Sequence, residues 1–217
     1  MRRLSILGAT VFSLFVATTG AQAVTILTST LTNGQENPPV TAPTLTSGLP
    51  RPASFGTATF ILNDAQTALS FTATIFNIDV NGTQTADTND DLVAAHIHAS
   101  PTVTPTTNAG VVWGFFGAPF NDNNPNDALV TPFATGVGGV FSGKWDLPEG
   151  NATTLALQLP NILSNHSYIN FHTRQFGGGE IRGAIVPEPS LPVLLGAGAV
   201  LLLGIQVRRS TRRPSAR

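Results

Sequence analysis

The strongest constraint on the fold of this chain is the alternation of apolar and polar residues in several short segments. In residues 68–75 (ALSFTATI), Leu, Phe, Ala and Ile alternate with Ser and Thr, so an extended chain has one apolar and one polar face. A period of two is typical of a half-buried antiparallel strand, whereas an amphipathic helix repeats about every 3.6 residues. Residues 55–62 form a second strand candidate, and Asn63 and Asp64 between the two segments favour a turn.

Short segments of this kind recur along the middle of the chain, and no long helical period occurs. Thr, Val, Phe and Ile, which favour strands, are plentiful. Residues 152–163 favour one short helix, which Pro160 should interrupt. Many short strands separated by turns predict an all-β sandwich or barrel. The eight predicted strands are 25–31, 55–62, 68–75, 93–98, 111–116, 137–145, 168–172 and 180–186.

The composition excludes several classes of protein. Charged residues make up 11% of the 217 residues, against roughly 25% in an average globular domain, so coiled coils and highly charged disordered chains do not fit. The sequence has no cysteine, which excludes disulfides, thiolate metal sites and cysteine nucleophiles. A formal net charge of −1 argues against a nucleic-acid partner. Motifs of serine hydrolases, phosphate-binding loops and H-E-x-x-H metalloproteases are missing from the sequence, which argues against an enzyme.

Basic residues are concentrated at the two ends of the chain. Residues 24–186 include four basic and eleven acidic residues, and therefore have a formal charge of −7. At the N-terminus, two arginines and an apolar run precede Ala21-Gln22-Ala23, which is the pattern of a cleaved secretory signal peptide. The sequence therefore predicts a signal peptide over 1–23, with a retained N-terminal anchor as the alternative, and one mature domain over 24–186.

The C-terminal segment, 187–217, has three parts. The tripeptide Pro187-Glu188-Pro189 precedes eighteen uncharged residues, 190–207, and a basic tail, 208–217. Eighteen residues at about 1.5 Å each span about 27 Å, enough for one transmembrane helix. The arginines that follow should remain cytoplasmic. The two ends together predict export of the middle domain across the inner membrane and a tether at its C-terminal end.

This tail resembles the PEP-CTERM sorting signal of Gram-negative bacteria, in its tripeptide, its apolar span and its closing arginines. The resemblance implies that an exosortase-type membrane protease recognises Pro187, Glu188 and Pro189 and removes the helix. It also implies a place at the cell surface or in the exopolysaccharide matrix. An ordinary single-span anchor is the alternative, and it predicts the same topology without processing.

His96 and His98 form an H-x-H pair inside a predicted strand. Successive strand side chains point to opposite faces, so both imidazoles should lie on one face, with Ala95 and Ile97 on the other. Two imidazoles with this spacing can bind one metal ion, preferably zinc or copper. Two ligands are insufficient, and a third is needed.

The last two predicted strands provide the further candidates. Three glycines lie in the link 173–179 and free the backbone to turn. Symmetric closure of this hairpin pairs His172 with Glu180 and Asn170 with Arg182, and such cross-strand neighbours have Cβ atoms about 5 Å apart.

One hypothesis is that His96, His98, His172 and Glu180 share one polar face and form a copper or zinc site. The alternative is a structural polar network that includes Asn170, Glu180 and Arg182. In that network Glu180 and Arg182 pair with each other or with neighbours, and the histidines bond backbone groups.

Several segments together resemble the CHRD domain, which was first described in chordin and also occurs in bacterial secreted proteins. The resemblance implies an antiparallel Greek-key β-sandwich, either immunoglobulin-like or superoxide-dismutase-like, without an established activity. The chain departs from the family pattern in residues 99–105, and it has extra residues at 44–54 and 120–136. The matching elements are 31–40 (LTNGQENPPV), 95–98 (AHIH), 110–112 (GVV), 168–173 (YINFHT) and 178–183 (GGEIRG).

These observations lead to three functional hypotheses. The first is a non-enzymatic CHRD domain, exported and anchored at the cell envelope, that binds polysaccharide or protein. The second is a copper or zinc protein with His96, His98 and His172 as ligands, and with redox activity reminiscent of copper–zinc superoxide dismutase. The third is a matrix component whose role is to cover the surface.

Overall fold

The computed structural model describes residues 24–188 of the chain. The predicted signal peptide (1–23), Pro189, the predicted transmembrane helix (190–207) and the basic tail (208–217) lie outside the described residues. Within residues 24–188, no helix has the length and hydropathy that crossing a bilayer requires.

The described residues are predominantly β, as the alternation predicts. Two short helices accompany the strands: the α-helix α1 (Leu155–Leu163) and one turn of 3-10 helix at Asn33–Gln35. The strands are β1 (Thr25–Thr32), β2 (Phe55–Leu62), β3 (Ala68–Phe76), β4 (Leu92–Ala99), β5 (Val111–Phe116), β6 (Leu129–Pro132), β7 (Gly138–Asp146), β8 (Ser167–Thr173), β9 (Ile181–Ala184) and β10 (Val186–Pro187).

All eight predicted strands form, with two differences from the prediction. The last predicted segment, 180–186, is divided between β9 and β10, because Ile185 donates its backbone N–H to Ser167 of β8 between them. Strand β6 lies within the extra residues 120–136 and is missed by the alternation, because four residues are too few to establish a period.

The prediction that Pro160 interrupts the helix is wrong, since α1 continues through it. Pro160 removes one N–H, which would otherwise bond the carbonyl of Ala156, and both residues are exposed, so water can satisfy that carbonyl. Thr154 caps the helix by accepting a hydrogen bond from the backbone N–H of Leu157. The face of α1 that packs into the core consists of Leu155, Leu159 and Ile162.

The strands form one antiparallel sheet in the order β5-β4-β8-β9-β1-β2-β3-β7-β6, with β10 also paired to β1. The predicted all-β antiparallel class is therefore confirmed, in the form of one continuous sheet. Its narrowest point lies between β9 and β1, which share the single residue pair Thr32–Arg182 in the described part of the chain. Further along the same edge of β1, Leu27 and Thr28 pair with β10 instead.

The sheet curls until strands far apart in this order meet across an aromatic core. Trp113 of β5 stacks on Trp145 of β7, with ring centroids 5.6 Å apart and planes only 5° from parallel. Phe115 of β5 lies 4.7 Å from Phe71 of β3. Both indole N–H groups donate to the buried Glu149, at 3.2 and 2.8 Å, so the two tryptophans are fully buried without an unpaired donor.

Gly183 allows β9 to approach β1 closely at the narrow junction. A Cβ atom at this position would lie 2.3 Å from Ser29 Oγ and 2.3 Å from the carbonyl oxygen of Thr30. Because the carbonyl belongs to the backbone, it cannot move away as a flexible side chain would. The junction that joins the two parts of the sheet therefore depends on the absence of a side chain at residue 183.

We expect the substitution Gly183→Ala to lower the free energy of unfolding by roughly 1–3 kcal/mol, because overpacking forces β9 away from β1. The matched control is Gly178→Ala in the β8–β9 link, where a Cβ atom meets nothing within 4 Å. Urea denaturation of both variants is the measurement. Equal stability of the two variants would contradict the close approach.

Candidate functional site

The structure brings together three of the four predicted metal ligands. In the β4–β8 ladder His96 lies opposite Asn170 and His98 opposite Tyr168, so both histidines share a face with His172. The His172 ring centroid is 4.9 Å from that of His96 and 6.0 Å from that of His98. One nitrogen of each ring lies within 4.8 Å of the others.

Backbone carbonyls determine the tautomers of two of these rings. Nδ1 of His98 lies 2.9 Å from the carbonyl oxygen of Ala109, and Nδ1 of His172 lies 3.1 Å from that of Gly177. A carbonyl can only accept, so each Nδ1 bears the hydrogen and each Nε2 has a lone pair, which in His172 accepts a hydrogen bond from His96. Nδ1 of His96 lies 3.2 Å from Nε2 of His172.

Burial keeps the three imidazoles neutral at neutral pH. Burial, and to a smaller extent the neighbouring His172 and His98, lower the pKa of His96 to about 3. Burial also lowers the pKa of His98 to about 4, as well as the pKa of His172. The cluster therefore offers nitrogen lone pairs, which a protonated imidazole does not have.

Glu180, the fourth predicted ligand, lies in a different cluster. Its carboxylate is fully buried and accepts two hydrogen bonds from Arg51, at 2.7 and 2.5 Å. The hydroxyls of Ser54 and Thr173 also donate to it, the latter at 2.6 Å. Thr173 is next to His172 on β8 and points to the opposite face, so the structure places Glu180 on the other side of the sheet from the histidines.

A local backbone distortion explains this difference from symmetric closure. The register of β8 and β9 is as predicted, and Asn170 pairs with Arg182. Glu180, however, precedes the first residue of β9, and Gly179 before it has φ +130°, a value that L-residues rarely adopt. The alternation of side chains ends there, and Glu180 turns to the Thr173 face.

Arg182 belongs to a third group of contacts, beside the histidines. Its guanidinium lies 4.3 Å from the centroid of the Tyr168 ring, and it donates to Asn108 Oδ1 and to the carbonyl oxygen of Pro105, both at 2.8 Å. The His98 ring stacks on the same tyrosine at 4.6 Å. Because β8 lies between β4 and β9, His98 and Arg182 approach the ring from opposite sides. Arg182 does not pair with Glu180; each pairs with other neighbours.

Glu36 is the functional candidate that the sequence argument misses. It lines a cavity of about 450 Å³ and also a second one of about 620 Å³. Burial raises its pKa to about 7, although the nearby Arg182 lowers it, and Oε1 has no hydrogen-bond partner in the described residues. The one feature of the sequence that pointed to Glu36 is its place in the motif NGQENPP, which supports the family resemblance but indicates no chemical role for this residue. The first cavity is lined by residues that include Glu36, Asn37, Thr104, Thr106, Tyr168 and Arg182.

We expect Glu36→Gln to stabilise the protein above pH 7 and not below pH 4.5. The raised pKa means that the folded state keeps its proton between about pH 4.5 and 7 while the unfolded state loses it. The contribution of Glu36 is therefore complete below pH 4.5 and is lost as the pH rises to 7. The variant should gain on the order of 1–3 kcal/mol at pH 8, measured by urea denaturation.

The histidines act in the opposite direction, since their low pKa values reduce stability as the pH falls below about 6.5. Both proteins contain the same histidines, so the difference in their free energies of unfolding at each pH reports the effect of the Glu36 carboxyl group alone. Asp64→Asn, in the exposed β2–β3 turn, controls for the loss of one carboxylate. A difference that does not change between pH 4 and 8 would show that Glu36 ionises normally.

Comparison with known proteins agrees with the resemblance noted in the sequence. The family model of the CHRD domain matches residues 27–185, which extend from β1 to the residue before β10. No curated protein and no solved structure was found to match the chain. The matched region includes the three clustered histidines, Glu36, Glu180 and Arg182, and it covers well over half of the sequence. The chain therefore belongs to the CHRD domain family.

Proposed function

We propose that this protein is a non-enzymatic CHRD domain that is exported across the inner membrane, held at the cell envelope by its C-terminal segment, and able to bind polysaccharide of the surrounding matrix. The basic, apolar and A-x-A pattern at the N-terminus supports export. The tripeptide, apolar span and arginines at the C-terminus support a PEP-CTERM sorting signal and a transmembrane helix. Exosortase-type processing would release the domain to the cell surface or the matrix.

The observation behind this proposal is the position of the cavity relative to the chain ends. Glu188, the last described residue, donates its backbone N–H to the carbonyl of Ile26, so the two ends of the described segment, residues 24 and 188, both lie at the start of β1. The cavity extends from Ala184 of β9 to Gly34 and Gln35, which follow the other end of β1. Thr32, at that end, lies five positions after Leu27, which is about 17 Å in a strand. A domain tethered through residue 188 would therefore present the part of the cavity around Gly34 and Gln35 away from the tether.

The chemistry of the cavity favours a neutral saccharide. Its walls include the apolar Pro39 and Val103 and the polar Asn37 and Thr106, and such a mixture of apolar surface with a few polar groups is typical of small-ligand sites. The formal charge of −7 on residues 24–186 disfavours a strongly anionic polymer. Both sides of the Tyr168 ring are already covered, so a sugar would contact its edge instead of stacking on its face.

The type of β-fold that the family resemblance implies is part of the same proposal. We infer that the curled sheet corresponds to the Greek-key sandwich of the immunoglobulin-like or superoxide-dismutase-like kind that the family resemblance implies. The aromatic contacts between β5 and the strands β3 and β7 support this, because they bring two inner faces together around one core. Such a scaffold supports loops at its ends, which is where the cavity lies.

We expect the double substitution Glu188→Ala and Pro189→Ala to block processing. Pro187 is left intact because it pairs with Leu27 in the sheet. Mass spectrometry of protein from the producing cells should find mature parent protein without residues 190–217, and the double variant with them. Ser210→Ala in the basic tail is the control. An intact peptide spanning residues 187–217 in mature parent protein would rule out cleavage.

Filling the cavity should weaken polysaccharide binding. We expect Thr106→Trp to reduce co-sedimentation of the full chain with neutral matrix polysaccharide by roughly tenfold, since the indole occupies the space that the ligand needs. Thr59→Trp, on the exposed face of β2, controls for an added aromatic ring. Equal binding by both variants would contradict this ligand site, and retention of a matrix protein alone would indicate a protein partner.

A further inference from the structure

The histidine cluster has a property that a structural network does not explain. Nε2 of His98 is buried and lacks a hydrogen-bond partner among the described residues. A buried polar atom without a partner costs roughly 1–3 kcal/mol, and most such atoms in proteins are paired. We propose that His96, His98 and His172 bind one transition-metal ion of the zinc or copper class, a property beyond the proposed polysaccharide binding.

The spacing of the rings agrees with a single ion. Two nitrogens bound to one tetrahedral zinc at about 2.0–2.1 Å lie about 3.3 Å from each other. Nδ1 of His96 and Nε2 of His172 are 3.2 Å apart. An ion bound at this point replaces the hydrogen bond between the rings, with the ring hydrogen of His96 moved from Nδ1 to Nε2. Nε2 of His98 is the third ligand, since one nitrogen of each ring lies within 4.8 Å of the others.

The surrounding hydrogen bonds already hold two ligands in the required tautomer. A metal-bound histidine almost always donates its other ring N–H to a carbonyl or carboxylate, which fixes the ring and makes it a better ligand. His98 donates Nδ1–H to Ala109 and His172 donates Nδ1–H to Gly177. The Tyr168 ring, stacked parallel to His98 at 4.6 Å, further restricts that ligand.

The donor set determines the class of metal. Three neutral imidazoles suit zinc and copper, whereas calcium and magnesium require oxygen ligands. Glu180 is the oxygen ligand that the sequence hypothesis includes. Its carboxylate accepts hydrogen bonds from Arg51, Ser54 and Thr173 on the other face of the sheet, so it does not reach the histidines. Three protein ligands leave a fourth position of a tetrahedral ion open to water or another small molecule.

The test is metal binding by the full chain, purified without a histidine tag and stripped with a chelator. Elemental analysis after loading with zinc or copper should find one ion per chain, and competition with a chromophoric chelator should give its affinity. His98→Gln and His172→Gln each remove a ligand and should weaken binding by more than the roughly 10–100-fold that loss of an outer-shell partner costs. His166→Gln, in the turn before β8 and outside the cluster, is the matched control and should bind as tightly as the parent protein.

A spectroscopic measurement on the parent protein keeps the proposal testable if a variant does not fold. X-ray absorption of the loaded protein should show about three imidazole nitrogens around the ion for zinc and for copper alike. Substoichiometric binding of both metals, or equal loss of affinity in His166→Gln and His98→Gln, would overturn the proposal. Because Thr106→Trp fills the cavity without touching the histidines, loss of polysaccharide binding and loss of metal binding are separate results.

Discussion

The buried ion pair between Arg51 and Glu180 is the interaction on which the arrangement of the site depends. Its two parallel hydrogen bonds, with Ser54 and Thr173 as further donors, satisfy a carboxylate that has no access to water. Removing one partner of such a pair typically costs roughly 3–5 kcal/mol, because the other charge remains buried and unpaired. The pair ties the segment before β2 to the β8–β9 hairpin, and it keeps a negative charge away from the three neutral histidines.

Arg182 fixes the neighbouring part of the site in a similar way. Its guanidinium joins the loop 104–108 to β9 and covers one side of Tyr168, whose other side supports His98. The histidine cluster and the cavity are therefore neighbours that share Tyr168 as a common wall. The two buried arginines use different partners, but each connects a loop to the same hairpin.

Local patterns predicted much of this structure. The alternation of residues gave eight strands, and the H-x-H spacing placed His96 and His98 on one face without knowledge of the rest of the fold. The short link between β8 and β9 fixed the register that pairs Asn170 with Arg182. In each case the relevant residues are close in sequence, so strand geometry alone determines their relative positions.

The parts that could not be predicted depend on residues far apart in sequence. Arg51 is 129 positions from Glu180 and lies in the Pro- and Thr-rich stretch 38–52, which has no strand alternation. Likewise Arg182 binds Asn108 and Pro105, which are 74 and 77 positions away in the sequence. Glu36 could be identified as a functional candidate only from its burial and from the lack of a hydrogen-bond partner for its Oε1.

The common exit of the two chain ends has a mechanical consequence. If a matrix polymer bound at the far end of the domain were pulled against an anchor at residue 188, part of the load would pass from β10 to β1 through the pairs Leu27–Pro187 and Thr28–Val186 and would then run lengthwise along β1. That strand is paired to β2 through eight residue pairs, from Thr25–Leu62 to Thr32–Phe55. When the load runs along the strands, all eight pairs would resist the sliding of β1 past β2 at the same time, instead of opening one after another. The β1–β2 ladder would therefore be the element that bears the tension.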